Sequence, residues 1–203
     1  FFAKKGNASN ARAIVASRLD GKIEERLDYP VTTEIHRHHP DYQSATTGFY
    51  DEAAARLAAH LDEGRSVAVL SEGDPLFYGS YMHLHVRLAP RYPTEVVAGI
   101  TAMSGCWSAA GLPLVQGDDV LSVLPGTLDE AALTARLAGS EGVVIMKVGR
   151  NLGKIRRALA AAGRLDSAIY AERATMAGGR TLPLADKTDD EAPYFALILV
   201  PGW

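Results

Sequence analysis

The stretch Val67-Ala-Val-Leu-Ser-Glu-Gly-Asp-Pro-Leu-Phe-Tyr-Gly79 decides the reading of this chain. A short apolar run stops abruptly at Ser71-Glu-Gly-Asp-Pro75, and an apolar, helix-like segment follows. That order predicts a strand that ends in a tight turn and exposes its backbone at a cleft. Gly73 lets another backbone or a ligand come close because it has no Cβ. Asp74 can accept from turn amides or from a ligand amine, and Pro75 fixes the direction in which the chain leaves. Strand ends at the carboxyl edge of an open α/β sheet are where small ligands usually sit. A second unit of the same type follows some twenty residues on, Glu95-Val-Val-Ala-Gly-Ile-Thr-Ala-Met-Ser-Gly105.

Outward from this pair, the first half alternates in α/β fashion. Phe1-Phe-Ala-Lys-Lys-Gly6 reads as the tail of a strand, and because no initiator methionine stands before it, the natural N-terminus is expected to be missing. Ala8–Asp20 has helical spacing, and Phe49, Ala53, Leu57 and Leu61 share one helical face that Gly64 ends. Ser66–Leu70 and Thr94–Ala98 are continuous apolar runs, as parallel strands covered on both faces would be, with Tyr78–Leu88 as the crossover helix between them. Near Leu112-Pro113 the texture changes. The second half offers strands at Val120–Leu124, Gly142–Lys147, Ala168–Glu172, Arg180–Leu184 and Tyr194–Val200, with helices at Leu128–Leu137 and Asn151–Ala162. These features predict two α/β domains, residues 1–113 and 114–203, the second built on a mixed sheet. Ala185–Pro193, rich in acidic residues, reads as a solvated hairpin loop.

Composition narrows the function classes. With 47% apolar and 22% charged residues in 203, the chain is globular rather than disordered. A net charge of −3 and no sustained basic face argue against nucleic acid as a partner. No run approaches the ~20 apolar residues that a membrane span needs. The single cysteine, Cys106, excludes an internal disulfide framework, fits a reducing cytoplasm and reads as a packed small hydrophobe.

The paired turns resemble two motifs of the tetrapyrrole methylases, which use S-adenosylmethionine to methylate porphyrin-like macrocycles. The likeness extends over nearly the whole chain and implies a two-lobed α/β fold, with cofactor and substrate in the cleft between the lobes. It implies cofactor contacts from Glu72, Gly73, Asp74 and Phe77 in the first turn. Ala98-Gly-Ile-Thr-Ala102, similar to the family's Pro-Gly-Ile-Thr-Ala, nominates Thr101 and Ala102. The strand Val143-Val-Ile-Met146 nominates Met146, and Ala171-Glu-Arg-Ala-Thr175 nominates Ala174. Ala98 departs from the usual proline, and the family's N-terminal Gly-x-Gly-Pro-Gly-Asp-Pro loop is absent. Finer features, namely the opening Phe2-Ala-Lys-Lys-Gly6 with Asn10-Ala-Arg-Ala13, Met146-Lys-Val-Gly-Arg150, Glu172-Arg-Ala-Thr-Met176 and Pro201-Gly-Trp203, resemble the branch that methylates C20 of precorrin-2, which implies a cytoplasmic homodimer without a metal cofactor; the same reaction on the cobalt-carrying substrate, or methylation of another tetrapyrrole carbon, is the alternative. Eight substrate carboxylates call for positive charge, for which Lys4, Lys5, Arg37, Lys147 and Arg150 are candidates. No catalytic residue is named: Glu72 is the acidic group beside the turn, either as a base or as a shaper of the turn.

Other chemistries fit less well. Gly149-Arg-Asn-Leu-Gly-Lys154 is one residue short of a phosphate loop, and Ile155 stands where a hydroxyl should hold magnesium. No Gly-x-Gly-x-x-Gly occurs. His36, His38 and His39 suit either a solvated loop or, in a rival reading, a tetrapyrrole- or metal-binding protein without methyltransferase activity. His83 and His85 suggest no role.

Overall fold

A computed structural model describes residues 1–30 and 40–203. The chain forms two compact units, Phe1–Thr101 and Ala102–Trp203.

In the first unit, β1 (Phe2–Lys4) pairs in parallel with β2 (Leu27–Tyr29), with Phe2 opposite Leu27. Between them lies the short α1 (Asn10–Ile14), whose first turn is capped by the Ser9 hydroxyl accepting from the Arg12 amide. The long α2 (Pro40–Asp62) buries Tyr50, Ala53, Ala54, Leu57 and Ala58, the i, i+3, i+4 stripe expected of an amphipathic helix. It packs against Leu84 and Leu88 of α3 (Tyr81–Leu88) and against Leu27.

The expected parallel strands over Ser66–Leu70 and Thr94–Ala98 are not formed: neither segment carries strand pairing. Their apolar runs are not covered on both faces. Val67 and Val69 pack on the α2–α3 core while Ala68 is exposed, and Val97 and Ala98 are exposed as well. Both segments instead line, with α3, a cleft of about 440 Å³.

The second unit opens with α4 (Ala102–Ala110) and builds a five-stranded mixed sheet from β3 (Leu121–Pro125), β4 (Gly142–Met146), β5 (Ile169–Glu172), β6 (Arg180–Pro183) and β7 (Ala196–Val200). The order is β3-β4-β7-β5-β6, parallel between β3 and β4 and antiparallel elsewhere. Strand alternation sorts the side chains into two layers. Val143, Ile145, Tyr170, Ile198 and Val200 meet Leu133 and Leu137 of α5 (Glu130–Ala138) and Leu152, Ile155 and Leu159 of α6 (Leu152–Ala161). Val144, Ala171, Leu197 and Leu199 face the other way, onto Cys106 and its α4 neighbours. Because both faces are covered, β4 and β7 are apolar throughout. Asp129 caps α5 by accepting from the Ala132 amide at 2.7 Å.

One charged segment departs from expectation. Lys187, read as part of a solvated loop, is buried: its ammonium lies 4.9 Å from the Tyr170 ring centroid and 2.6 Å from Asp189. The cause is Arg156 of α6, whose guanidinium donates to the carbonyls of Leu184, Lys187 and Asp189 and so gathers the loop onto the unit.

Candidate active site

The first turn is held by its own aspartate. Asp74 Oδ1 accepts from the Leu76 amide at 2.9 Å, closing an Asx turn, while Oδ2 accepts from the Gly99 amide at 3.2 Å. The two sequence motifs are therefore tied together through one carboxylate. At that junction the backbones touch: a Cβ on Gly99 would sit 2.1 Å from the Gly73 carbonyl oxygen and 3.0 Å from the Asp74 nitrogen. Gly73 itself has φ +68°, the left-handed region where glycine carries no steric cost. Phe77 is half-buried, with its ring against Tyr78 at 4.9 Å in edge-on geometry.

Glu72 exposes much of its surface, but its carboxyl end lies against the start of α1. Burial raises its pKa, opposed by hydrogen bonds from the Ala11 backbone and the Asn10 side chain. Those contacts anchor the turn to α1.

In the second unit, Ala102 opens α4, directly after Thr101. Met146, the last residue of β4, and Ala174 pack in one cluster with Met103, Cys106 and Trp107 of α4. Met146 also uses its carbonyl to accept from the Gly126 amide at 2.6 Å. A Cβ on Gly105 of α4 would lie 3.4 Å from Thr175 Cγ2, so the helix runs close along the turn after β5. Burial lifts the Cys106 thiol pKa to about 11, which makes it an inert packing group as expected.

Backbone strain marks the same places. Among the described residues, the non-glycine positions with left-handed φ are Tyr78 (+54°), Lys147 (+56°) and Arg173 (+47°). Each adjoins a sequence-nominated residue: Phe77, Met146 and Ala174. Left-handed backbone at a large side chain is uncommon and concentrates at ligand-binding positions.

Other candidates fare differently. Lys4 and Lys5 are exposed around the end of β1, and Lys147 and Arg150 are exposed after β4. Arg37, His36, His38 and His39 lie outside the described residues. No group of three or more potential metal ligands occurs among the described residues. Sequence reasoning missed a polar network at the end of β5, in which Glu172 accepts from the Tyr170 hydroxyl and, at 2.9 Å, from Arg180 Nε. The spacing of Tyr170 and Glu172, two apart on a strand and so on one face, was the available signal.

These turns belong to a known design. The family model for Tetrapyrrole (Corrin/Porphyrin) Methylases matches residues 8–186. The chain belongs to the tetrapyrrole methylases. This methylase is 66% identical over 204 aligned positions to the precorrin-2 C(20)-methyltransferase of Sinorhizobium sp, a match that covers 100% of the chain and 83% of that relative. Among solved structures it is similar to a cobalt precorrin-4 methyltransferase, with TM-score 0.67 and 19% identity over 98% of this chain and 82% of the other. It is also similar to the uroporphyrin-III C-methyl transferase of Thermus thermophilus, solved with S-adenosylhomocysteine: TM-score 0.56, 23% identity, 74% of this chain and 72% of that one. Likeness at these identities shows the shared fold. No helix of the methylase, among the described residues, is long and apolar enough to cross a membrane.

Proposed function

We propose that this methylase transfers a methyl group from S-adenosylmethionine to C20 of precorrin-2, giving precorrin-3A in corrin synthesis. The observation that carries this reading is the 66% identity, end to end, with a precorrin-2 C(20)-methyltransferase.

The residues suit the co-substrate. Glu72, Gly73, Asp74, Phe77, Thr101, Ala102, Met146 and Ala174 are the proposed contact set. Gly73 and Thr101 offer backbone and hydroxyl groups to a polar amino-acid tail and ribose. Ala102, Met146 and Ala174 offer small or pliable apolar surface to a flat heteroaromatic base. The Gly73–Gly99 contact supports a built site, because two backbone segments meet there with no room for a side chain.

S-Adenosylmethionine, when bound, would supply an electrophilic methyl on a sulfonium: the C20–methyl bond would form as the sulfur–methyl bond breaks, S-adenosylhomocysteine would leave, and the C20 proton would be released to water. The protein's share is orientation and exclusion of water, and orientation alone is worth up to about 7–11 kcal/mol. Asp74 contributes by locking the first turn to the second motif. Glu72 contributes by anchoring that turn on α1, and its engagement with Asn10 and Ala11 supports this part over that of a base. An electron-rich meso carbon needs no Lewis acid to act as a nucleophile, so the reaction is proposed to run without metal. A homodimer in the cytoplasm, without nucleic acid or membrane as partner, completes the reading; the net charge of −3 supports the exclusion of nucleic acid.

The test is a product assay. Protein incubated with S-adenosylmethionine and precorrin-2 should yield one product heavier by a single methyl, together with S-adenosylhomocysteine. Protein that binds S-adenosylhomocysteine but leaves precorrin-2 unmethylated would refute the substrate assignment.

A further inference from the structure

The end of β5 carries more charge than a packed sheet needs. Glu172 is its last residue, 9% exposed in its side chain, and it sits opposite Arg180, the first residue of β6. Its carboxylate accepts from the Tyr170 hydroxyl and from Arg180 Nε. Burial opposes its charge, yet Tyr170 and Arg180 hold its pKa below the usual carboxylate value. Burial, helped by the same contact, raises the Tyr170 pKa. The Arg180 side chain keeps 55% of its surface exposed, and an ion pair with one partner open to water adds little stability, so stability alone does not account for this group.

The seven residues after Glu172 suggest what does. Strand alternation would place residue 174 on the face of Tyr170, against α5 and α6. Ala174 instead packs in the α4 cluster with Met146. The reversal happens at Arg173, whose backbone is left-handed (φ +47°) and whose amide donates to the Phe195 carbonyl at 2.9 Å. The turn is then closed by the Met176 amide donating to the Arg173 carbonyl at 2.7 Å and by Gly179, where a Cβ would fall 2.2 Å from that same oxygen. A strained residue persists only if its neighbours hold it, and Glu172 is the neighbour fixed from two directions.

We propose that Glu172 is a positioning residue for the co-substrate: gripped by Tyr170 and Arg180, it fixes the strand end from which Arg173 turns, and so sets Ala174 on the apolar cluster that also holds Met146. This rests on the reading that the methylase uses S-adenosylmethionine.

Three variants test it: Glu172→Gln, Tyr170→Phe and Arg180→Lys. Tyr170→Phe keeps the buried ring and its packing and removes only the hydroxyl, so it stays informative if Glu172→Gln fails to fold. Calorimetry with S-adenosylhomocysteine and steady-state kinetics with both substrates are the readouts, each compared with thermal unfolding. Losing one hydrogen bond of the grip should weaken S-adenosylhomocysteine and raise KM for S-adenosylmethionine about three- to tenfold, with kcat and the tetrapyrrole KM within about twofold. Unchanged S-adenosylhomocysteine affinity in a folded variant overturns the proposal, as does an equal rise in both KM values. Wild-type protein that fails to bind S-adenosylhomocysteine sinks the functional reading itself, before any variant is compared.

Discussion

Replacing Gly99 by alanine should injure the site more than its single methyl group suggests. The added carbon would lie 2.1 Å from the Gly73 carbonyl oxygen, 2.6 Å from its carbon and 3.0 Å from the Asp74 nitrogen. All three are backbone atoms, so no rotamer change relieves the clash, and the two motifs must move apart. Overpacking of this kind costs about 1–3 kcal/mol. Separation also weakens the 3.2 Å bond from the Gly99 amide to Asp74, a charge-assisted contact worth about 1.5–3 kcal/mol. At about 2–4 °C per kcal/mol for a chain of this size, the unfolding midpoint should fall by several degrees. Where the turn yields without unfolding, the loss should appear in S-adenosylhomocysteine affinity, roughly ten- to a hundredfold. Calorimetry and a thermal melt of the same preparation read both. Gly48→Ala is the control: Gly48 lies within α2 with nothing near its missing Cβ, and alanine there should stabilise by about 0.5–1 kcal/mol. A Gly99→Ala protein that melts and binds like wild type would refute the reasoning that these turns are locked backbone to backbone.

Asp74→Asn should keep the acceptor for Leu76 or for Gly99 but not both, weakening S-adenosylhomocysteine by about tenfold, while Asp74→Ala should lose up to about a hundredfold by calorimetry. Cys106 gives a pH signature. Its thiol pKa is near 11 when folded against 9.0 as the ordinary value, so its contribution is fully present below pH 9 and is lost as pH rises toward 11. Denaturant melts should show that decline, Cys106→Ala should lessen it, and thiol-specific reagents at pH 8 should react only on unfolding. A chelator should leave turnover of metal-free precorrin-2 unchanged in a continuous assay, and loss of turnover restored by added metal would contradict the metal-free mechanism.

The second unit was legible in the sequence because burial on both faces writes itself as unbroken apolar runs, as in Val143-Val-Ile-Met146 and Ala196-Leu-Ile-Leu-Val200. The same rule misled in the first unit, where Ser66–Leu70 is equally apolar but packs on one side only. β2, just Leu27-Asp-Tyr29, is too short and too polar to announce a strand. At the site, the glycines and Asp74 could be read from local turn chemistry, whereas their mutual contact could not, since 25 residues separate Asp74 from Gly99. Glu172 was read only as part of a motif. Its partner Arg180 is set opposite it by the β5–β6 register, which no local signal specifies. Lys187 was hidden by its acidic neighbours, because Arg156, far off in sequence, is what draws that loop inward.

The central claim is tested most directly by locating the transferred methyl. The protein is incubated with S-adenosylmethionine carrying a carbon-13 methyl and with precorrin-2, and the product is examined by carbon NMR. A single new methyl bonded to C20 is the predicted result. A labelled methyl on any other carbon would contradict the assignment while leaving the family intact, and an unlabelled tetrapyrrole from protein that binds S-adenosylhomocysteine would contradict it outright.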